Sequence, residues 1–321
     1  MTIKIVSVLG GAGFVGSHIV AKLDSAGYHV KVLSRRRESA KHLFLLPKVQ
    51  VVQCDVMNNQ ALKLALTGSD AVINLIGVLQ EDKKNTFELI HHQLPRRVAQ
   101  TCNELGIKRL LHMSALQASD HAPSQYLKSK AAGEAAVSEF NKKLAITIFK
   151  PSVIFGRGDQ FINLFAKLIK FLPVIVLAKP NAKFQPIWVE DVASAFVNAM
   201  QNTATYSKTY DLGGPKIYTL RDLLQKVMGF LGKKRPIIGL NDSLSMAQGF
   251  AMEFLPVKVM SRDNILSMQI DNVASQTIAP ELDVNPTELE VIVPEYLNDV
   301  SGQSVYNGFR TAAGRSIKLR R

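Results

Sequence analysis

Tyr126 and Lys130 stand four apart in Tyr126-Leu127-Lys128-Ser129-Lys130, a spacing that puts both side chains on one helical face. Such a pair suits proton transfer: the phenol gives or takes a proton, and the ammonium favours the phenolate. At roughly 6 Å and an effective dielectric near 20 the attraction is about 3 kcal/mol. That predicts a tyrosine drawn from about 10 toward about 8, able to act as acid or base near neutrality. Ser114 follows the apolar run Arg109–Met113, where a hydroxyl could hydrogen-bond a carbonyl oxygen. Ser114, Tyr126 and Lys130 are the expected catalytic set.

A second constellation lies at the start of the chain, in Leu9-Gly10-Gly11-Ala12-Gly13-Phe14-Val15-Gly16. An apolar run enters it, and Val15, Ile19 and Leu23 leave it at helical spacing. Strand, glycine turn and helix in that order let backbone approach a pyrophosphate, with the positive end of the helix facing the anion. The spacing is G-x-x-G-x-x-G. The next strand ends Ser34-Arg35-Arg36-Arg37, without the acid that would hold a free ribose 2′-hydroxyl. Guanidinium forks and a hydroxyl suit a 2′-phosphate instead, so NADP(H) is preferred over NAD(H).

These residues need a scaffold, and the pattern supplies one. Apolar strands at Ile3–Leu9, His29–Ser34, Val49–Gln53, Ala71–Leu75, Arg109–Met113 and Ala145–Phe149 alternate with helices near Phe14–Ala26, Asn59–Leu66, Phe87–Leu105 and Gln125–Phe140. The fold class is α/β: a Rossmann-type doubly wound parallel sheet, followed by a smaller, mostly helical substrate or lid domain. The expected division is 1–155 for the dinucleotide domain, 156–309 for the lid with an extended arm over 270–309, and 310–321 for a basic tail. In the second half, helices are predicted at Phe161–Phe171, Val189–Met200, Leu220–Leu231 and Ser243–Leu255.

The 321 residues carry a net charge of +13, and the two cysteines are too few for a disulfide framework. Arg310, Arg315, Lys318, Arg320 and Arg321 carry the tail, which could make a weak contact with an anionic membrane. No basic platform interleaved with aromatics accompanies it, so nucleic acid is not an expected partner. No run is long and clean enough to span a bilayer. The expected location is cytoplasmic, with peripheral contact at the inner face of the membrane as the alternative. His91 and His92 have no partners at metal-ligand spacing, and no metal site is expected. Trp188 reads as a packing residue and Asp191 as a helix cap.

With these motifs together the chain resembles the short-chain dehydrogenase/reductase superfamily, in its extended and atypical branches. The resemblance implies catalytic roles for Ser114, Tyr126 and Lys130, with Lys130 also holding the nicotinamide ribose. It implies nucleotide contacts from Gly10, Gly13, Phe14, Val15, Gly16, Ser34, Arg35 and Arg36. Asp55-Val56 resembles the adenine-contacting pair, and Asn74-Leu75-Ile76-Gly77 the loop under the nicotinamide ribose. Lys150-Pro151-Ser152-Val153 resembles the loop beside the nicotinamide, which brings in Pro151 and Val153. Pro186-Ile187-Trp188-Val189-Glu190-Asp191 resembles a substrate-domain motif, with Trp188 where histidine is usual. A narrower resemblance, carried by Gly156-Arg157-Gly158-Asp159-Gln160-Phe161, Tyr126-Leu127-Lys128-Ser129-Lys130-Ala131-Ala132-Gly133-Glu134 and Ser261-Arg262-Asp263-Asn264, is to accessory subunits of respiratory complex I and their stand-alone bacterial relatives. It implies a respiratory-chain or quinone-synthesis complex as partner and a nucleotide that serves structure. The motifs thus imply an oxidoreductase acting on a carbonyl or quinone-related substrate. A non-catalytic accessory protein and a sugar-nucleotide epimerase or dehydratase are the alternatives.

Overall fold

The computed structural model describes residues 2–254 and 260–297. Its strands are β1 (Ile5–Leu9), β2 (His29–Ser34), β3 (Val49–Gln53), β4 (Ala71–Asn74), β5 (Arg109–Met113), β6 (Ala145–Pro151), β7 (Ile154–Phe155), β8 (Ile175–Leu177), β9 (Lys183–Phe184), β10 (Ile187–Trp188), β11 (Lys208–Leu212), β12 (Tyr218–Thr219) and β13 (Ile237–Gly239). Its α-helices are α1 (Phe14–Ser25), α2 (Asn59–Leu66), α3 (Leu94–Glu104), α4 (Gln125–Ser138), α5 (Ile162–Phe171), α6 (Val189–Ala199), α7 (Leu220–Phe230), α8 (Asp242–Glu253), α9 (Arg262–Ser267) and α10 (Leu289–Leu297).

Seven strands form one parallel sheet in the order β11-β6-β5-β4-β1-β2-β3. The order reverses between β1 and β4, and an open α/β sheet offers its ligand crevice at such a reversal. The inner strands β1, β4 and β6 are largely apolar and buried because helices cover both faces, whereas the edge strands β3 and β11 carry polar residues. On one face Ile19, Val20 and Leu23 of α1 share a core with Val192, Phe196 and Ala199 of α6. On the other, Leu62 and Leu66 of α2 pack with Leu94, Val98 and Cys102 of α3 and Val137 of α4.

The sheet crosses the division expected at residue 155. β11 pairs with β6 from Lys208↔Thr147 to Leu212↔Pro151, and α6 lies in the sheet's own core. What remains as a separate lobe has its own core, from Phe155 and Phe165 through Leu223 and Leu224 to Val293 and Tyr296. The expected arm over 270–309 also needs correction, since α10 occupies Leu289–Leu297 with Pro294 inside it. Asp159 latches that lobe. Its buried carboxylate accepts from the backbone N–H of Gly156, Ile162 and Asn163 and from the Tyr296 hydroxyl. The basic tail at 310–321 lies outside the described residues.

The helix expected over Phe87–Leu105 begins as a π-helical turn, Glu88–Gln93, before α3. Pro95 has no N–H to return to the His91 carbonyl, which breaks the α ladder there. The freed carbonyl lies against Gly133 of α4, where any Cβ would run into it.

Candidate functional site

The glycine turn at the end of β1 is shaped for close approach. Gly10 has φ +79°, and a Cβ there would lie 3.3 Å from the Ile76 nitrogen. At Gly16 a Cβ would run into the Gly10 carbonyl oxygen and come within 2.6 Å of Gly11 Cα. Only glycine lets α1 start this close to the strand. Gly13 precedes the helix without a side-chain cap, and no acid occupies the first turn. The positive helix end therefore faces the crevice unneutralised. Phe14 sits where a Cβ on Gly156 would meet its ring at 3.5 Å, so the turn also touches the junction with the second lobe.

At the end of β2, Ser34 donates its hydroxyl to the Arg36 carbonyl at 2.9 Å. Arg35 and Arg36 are exposed, with no side-chain hydrogen bond to protein among the described residues. Asp55 lies beyond β3 and accepts from the Met57 N–H, while Val56 is buried beside it. Asn74 ends β4 opposite Leu9 of β1, buried, with its amide on His112 Nδ1 at 3.3 Å. Pro151 closes β6. The Val153 N–H is taken by Asn272 Oδ1, which also accepts the Ser152 hydroxyl.

Tyr126 and Lys130 share α4, which Ser124 caps by accepting from the Leu127 N–H. Asp263 of α9 accepts from the N–H groups of Gln125 and Tyr126 at 2.7 and 3.0 Å. The Lys130 ammonium donates to the carbonyl of Met113 at 2.7 Å. It also lies 3.9 Å from where a Cβ on Gly77 would stand. The loop after β4 therefore joins the two constellations: Ile76 abuts Gly10, and Gly77 abuts Lys130.

His91 belongs to this site, although the sequence singles it out only as lacking metal-ligand partners. Its Nε2 accepts from the Val78 N–H at 3.0 Å, so Nδ1 carries the proton and donates to Ser129 Oγ at 2.8 Å. Ser129 in turn donates to the Tyr126 carbonyl. Burial and the nearby Lys130 charge hold the imidazole neutral, with its pKa lowered to about 3. The ring stacks on Phe87 and stands edge-on to the Tyr126 ring.

Three expectations change here. Burial pushes the Tyr126 phenol up to about 12, and lowers Lys130 to about 8. Lys130 donates one of its N–H groups to the Met113 carbonyl, and desolvation outweighs the attraction expected between the pair. Ser114 is buried and donates to Glu134 Oε1, whose carboxyl burial raises and which Lys150 approaches at 3.6 Å. The aliphatic residues packed around the Tyr126 ring are Ala115, Ala122 and Leu127. Asp191 is not a cap: it accepts from the Thr287 N–H and hydroxyl, tying the approach to α10. Glu134, Lys150 and Asp263 were visible only as members of motifs.

Residues 6–213 match the model of the "NAD dependent epimerase/dehydratase family". The chain belongs to that family. It is 31% identical over 313 residues to the mitochondrial NADH dehydrogenase (ubiquinone) 1 alpha subcomplex subunit 9 of Arabidopsis thaliana, covering 91% of this chain and 77% of that protein. Identity to the mouse subunit of the same name is 35%, over 70% of this chain and 60% of that protein. A ceramide reductase of Caulobacter vibrioides is 28% identical over 74% of each chain. The fold is that of DesIV, a dTDP-glucose 4,6-dehydratase from Streptomyces venezuelae: TM-score 0.73, 18% identity, 96% of this chain and 98% of that one. Among the described residues no helix is long and apolar enough to cross a membrane, and no group of His, Cys, Asp and Glu could hold a metal.

Proposed function

We propose that this chain binds NADP(H) and reduces the carbonyl group of a small or quinone-related substrate, with Tyr126 as proton donor. The observation that carries the reading is the loop after β4. It brings the glycine turn and the tyrosine–lysine helix to the same strand ends, at the reversal of strand order. Gly10, Gly13 and Gly16 give the pyrophosphate its cradle, with Phe14 and Val15 on the first helical turn. Arg35 and Arg36 hold the 2′-phosphate with Ser34 beside them. Asp55 and Val56 flank the adenine, and Asn74, Gly77, Pro151 and Val153 line the nicotinamide end.

Bound NADPH would supply a hydride to the carbonyl carbon. Tyr126, neutral at pH 7, gives its phenolic proton to the oxygen, leaving an alcohol, and regains a proton from water. The test is a pair of titrations. NADPH should bind at least about tenfold more tightly than NADH, and Arg35→Ala should abolish the difference. Tyr126→Phe should stop NADPH oxidation without changing NADPH affinity. Tighter NADH binding refutes the cofactor reading, and turnover in Tyr126→Phe refutes the catalytic one.

One observation favours a second reading. Ser114 gives its only proton to Glu134, and its successor beside Tyr126 is Ala115. With the Ser114 proton committed to Glu134, the hydroxyl expected to hold a substrate carbonyl is not offered as a donor, which suits a nucleotide that stabilises a subunit rather than turns over. In that case the chain is an accessory or assembly protein of a respiratory or quinone-synthesis complex, peripheral at the membrane. Co-purification with such a complex, together with undetectable NADPH oxidation, would establish it over the first.

A further inference from the structure

We propose that a cavity of about 400 Å³ between the loop after β4 and helices α8 and α9 takes the hydrocarbon chain of the substrate and leads its carbonyl to Tyr126. The proposal rests on the reading of Tyr126 as a carbonyl-directed proton donor, and adds the class of molecule that carries the carbonyl.

The cavity adjoins the phenol through one side chain. Phe87 lines it, is 7% exposed, and places its ring 6.0 Å from the Tyr126 ring. Asp263, also in the lining, is the residue that holds the Tyr126 N–H. The rest of the apolar lining is Leu79, Phe250 and Phe254, which are 59%, 48% and 74% exposed. Three large apolar side chains turned to water around one mouth mark a ligand or partner surface more than chance exposure does.

The polar lining decides the ligand. Glu81 accepts from the Phe87 N–H, and Glu253 pairs with Arg262 through several hydrogen bonds. Arg262 also covers the face of Phe250, at 4.9 Å. Gln80 and Ser261 both donate to Asn264. These groups already have protein partners, so what they leave for a ligand is hydrocarbon. The charged lining is three acids against one base, which disfavours a diphosphate such as a sugar nucleotide. The fit is an uncharged ketone with a long alkyl or prenyl chain.

The experiment uses the full chain loaded with NADPH, and neutral N-phenyl-1-naphthylamine as fluorescent probe. NADPH binding is first followed by its own fluorescence. The probe should bind saturably and be displaced by 2-octanone, 2-decanone and 2-dodecanone. Each added methylene should strengthen displacement about two- to fourfold. Leu79→Asp and Phe254→Asp should weaken probe and ketone by about tenfold or more while NADPH affinity stays unchanged. Both positions are exposed, so these variants are expected to fold. A ketone series without chain-length dependence, variants that bind as the parent does, or displacement by UDP-glucose instead of ketones overturns the proposal. Failure to bind NADPH at the first step would instead overturn the cofactor reading on which it rests.

Discussion

Replacing Gly16 with alanine tests the cradle most directly. The added methyl would meet Gly11 Cα at 2.6 Å and run into the Gly10 carbonyl. Ordinary carbon contacts lie near 3.5–4.0 Å, so α1 must retreat from the strand end by about 1 Å. Overpacking of this kind costs about 1–3 kcal/mol, while alanine gains about 1 kcal/mol over glycine inside a helix. The net loss is about 0–2 kcal/mol, which for a chain of this length lowers the melting temperature by up to about 3 °C. Nucleotide affinity should fall further, by about tenfold or more, because the N–H groups move with the helix. Gly13→Ala is the control. Its methyl would meet only the Gly10 oxygen, at 3.3 Å, and its φ is an ordinary −81°. That variant should melt within about 1 °C of the parent yet bind NADPH poorly, because a pyrophosphate seated on this turn as proposed would meet the added methyl. Thermal unfolding and fluorescence titration of both variants make the assay. If Gly16→Ala melts and binds as the parent does, or if Gly13→Ala loses stability and keeps affinity, the reasoning about the turn is wrong.

Lys130 makes a pH prediction. Its folded pKa of about 8 lies below the ordinary 10.5, so between those values the unfolded chain binds more protons and stability rises with pH. Relative to Lys130→Met, the parent should gain about 3 kcal/mol between pH 7 and pH 10.5 in urea unfolding; a constant difference would show that Lys130 does not titrate as a buried amine. Tyr296→Phe removes one of four donors to Asp159 and should cost about 1–3 kcal/mol. Proteolysis should then cut first near α10, and cleavage elsewhere would argue against Asp159 as the latch.

The first six strands and the glycine turn were legible because the sheet is buried on both faces. Its inner strands β1, β4 and β6 are largely apolar and buried, and the helices between strands end at Gly27 and Gly106, both at positive φ. β8 and β13 were not, because a three-residue strand carries too little pattern to stand out. The helix through Pro294 was missed because a proline inside a run reads as a stop, whereas here Val293, Tyr296 and Leu297 bury around it. At the site, Tyr126 and Lys130 were visible as a spacing and Ser114 as a position. The direction of the Ser114 hydroxyl depends on Glu134, twenty residues away in the chain. The rise in the Tyr126 pKa depends on burial, which spacing does not report. Asp263 reaches Tyr126 across 137 residues, a contact no local pattern encodes.

The return of β11 and α6 to the sheet bears on how the molecule can be divided. A fragment ending at residue 155 would leave β6 as a bare edge and strip α6 from the face that α1 shares with it. An unpaired, strongly apolar border of that kind invites aggregation. The nucleotide half is therefore not a detachable module: any fusion, truncation or split reporter built on this chain must keep residues through Leu212 together.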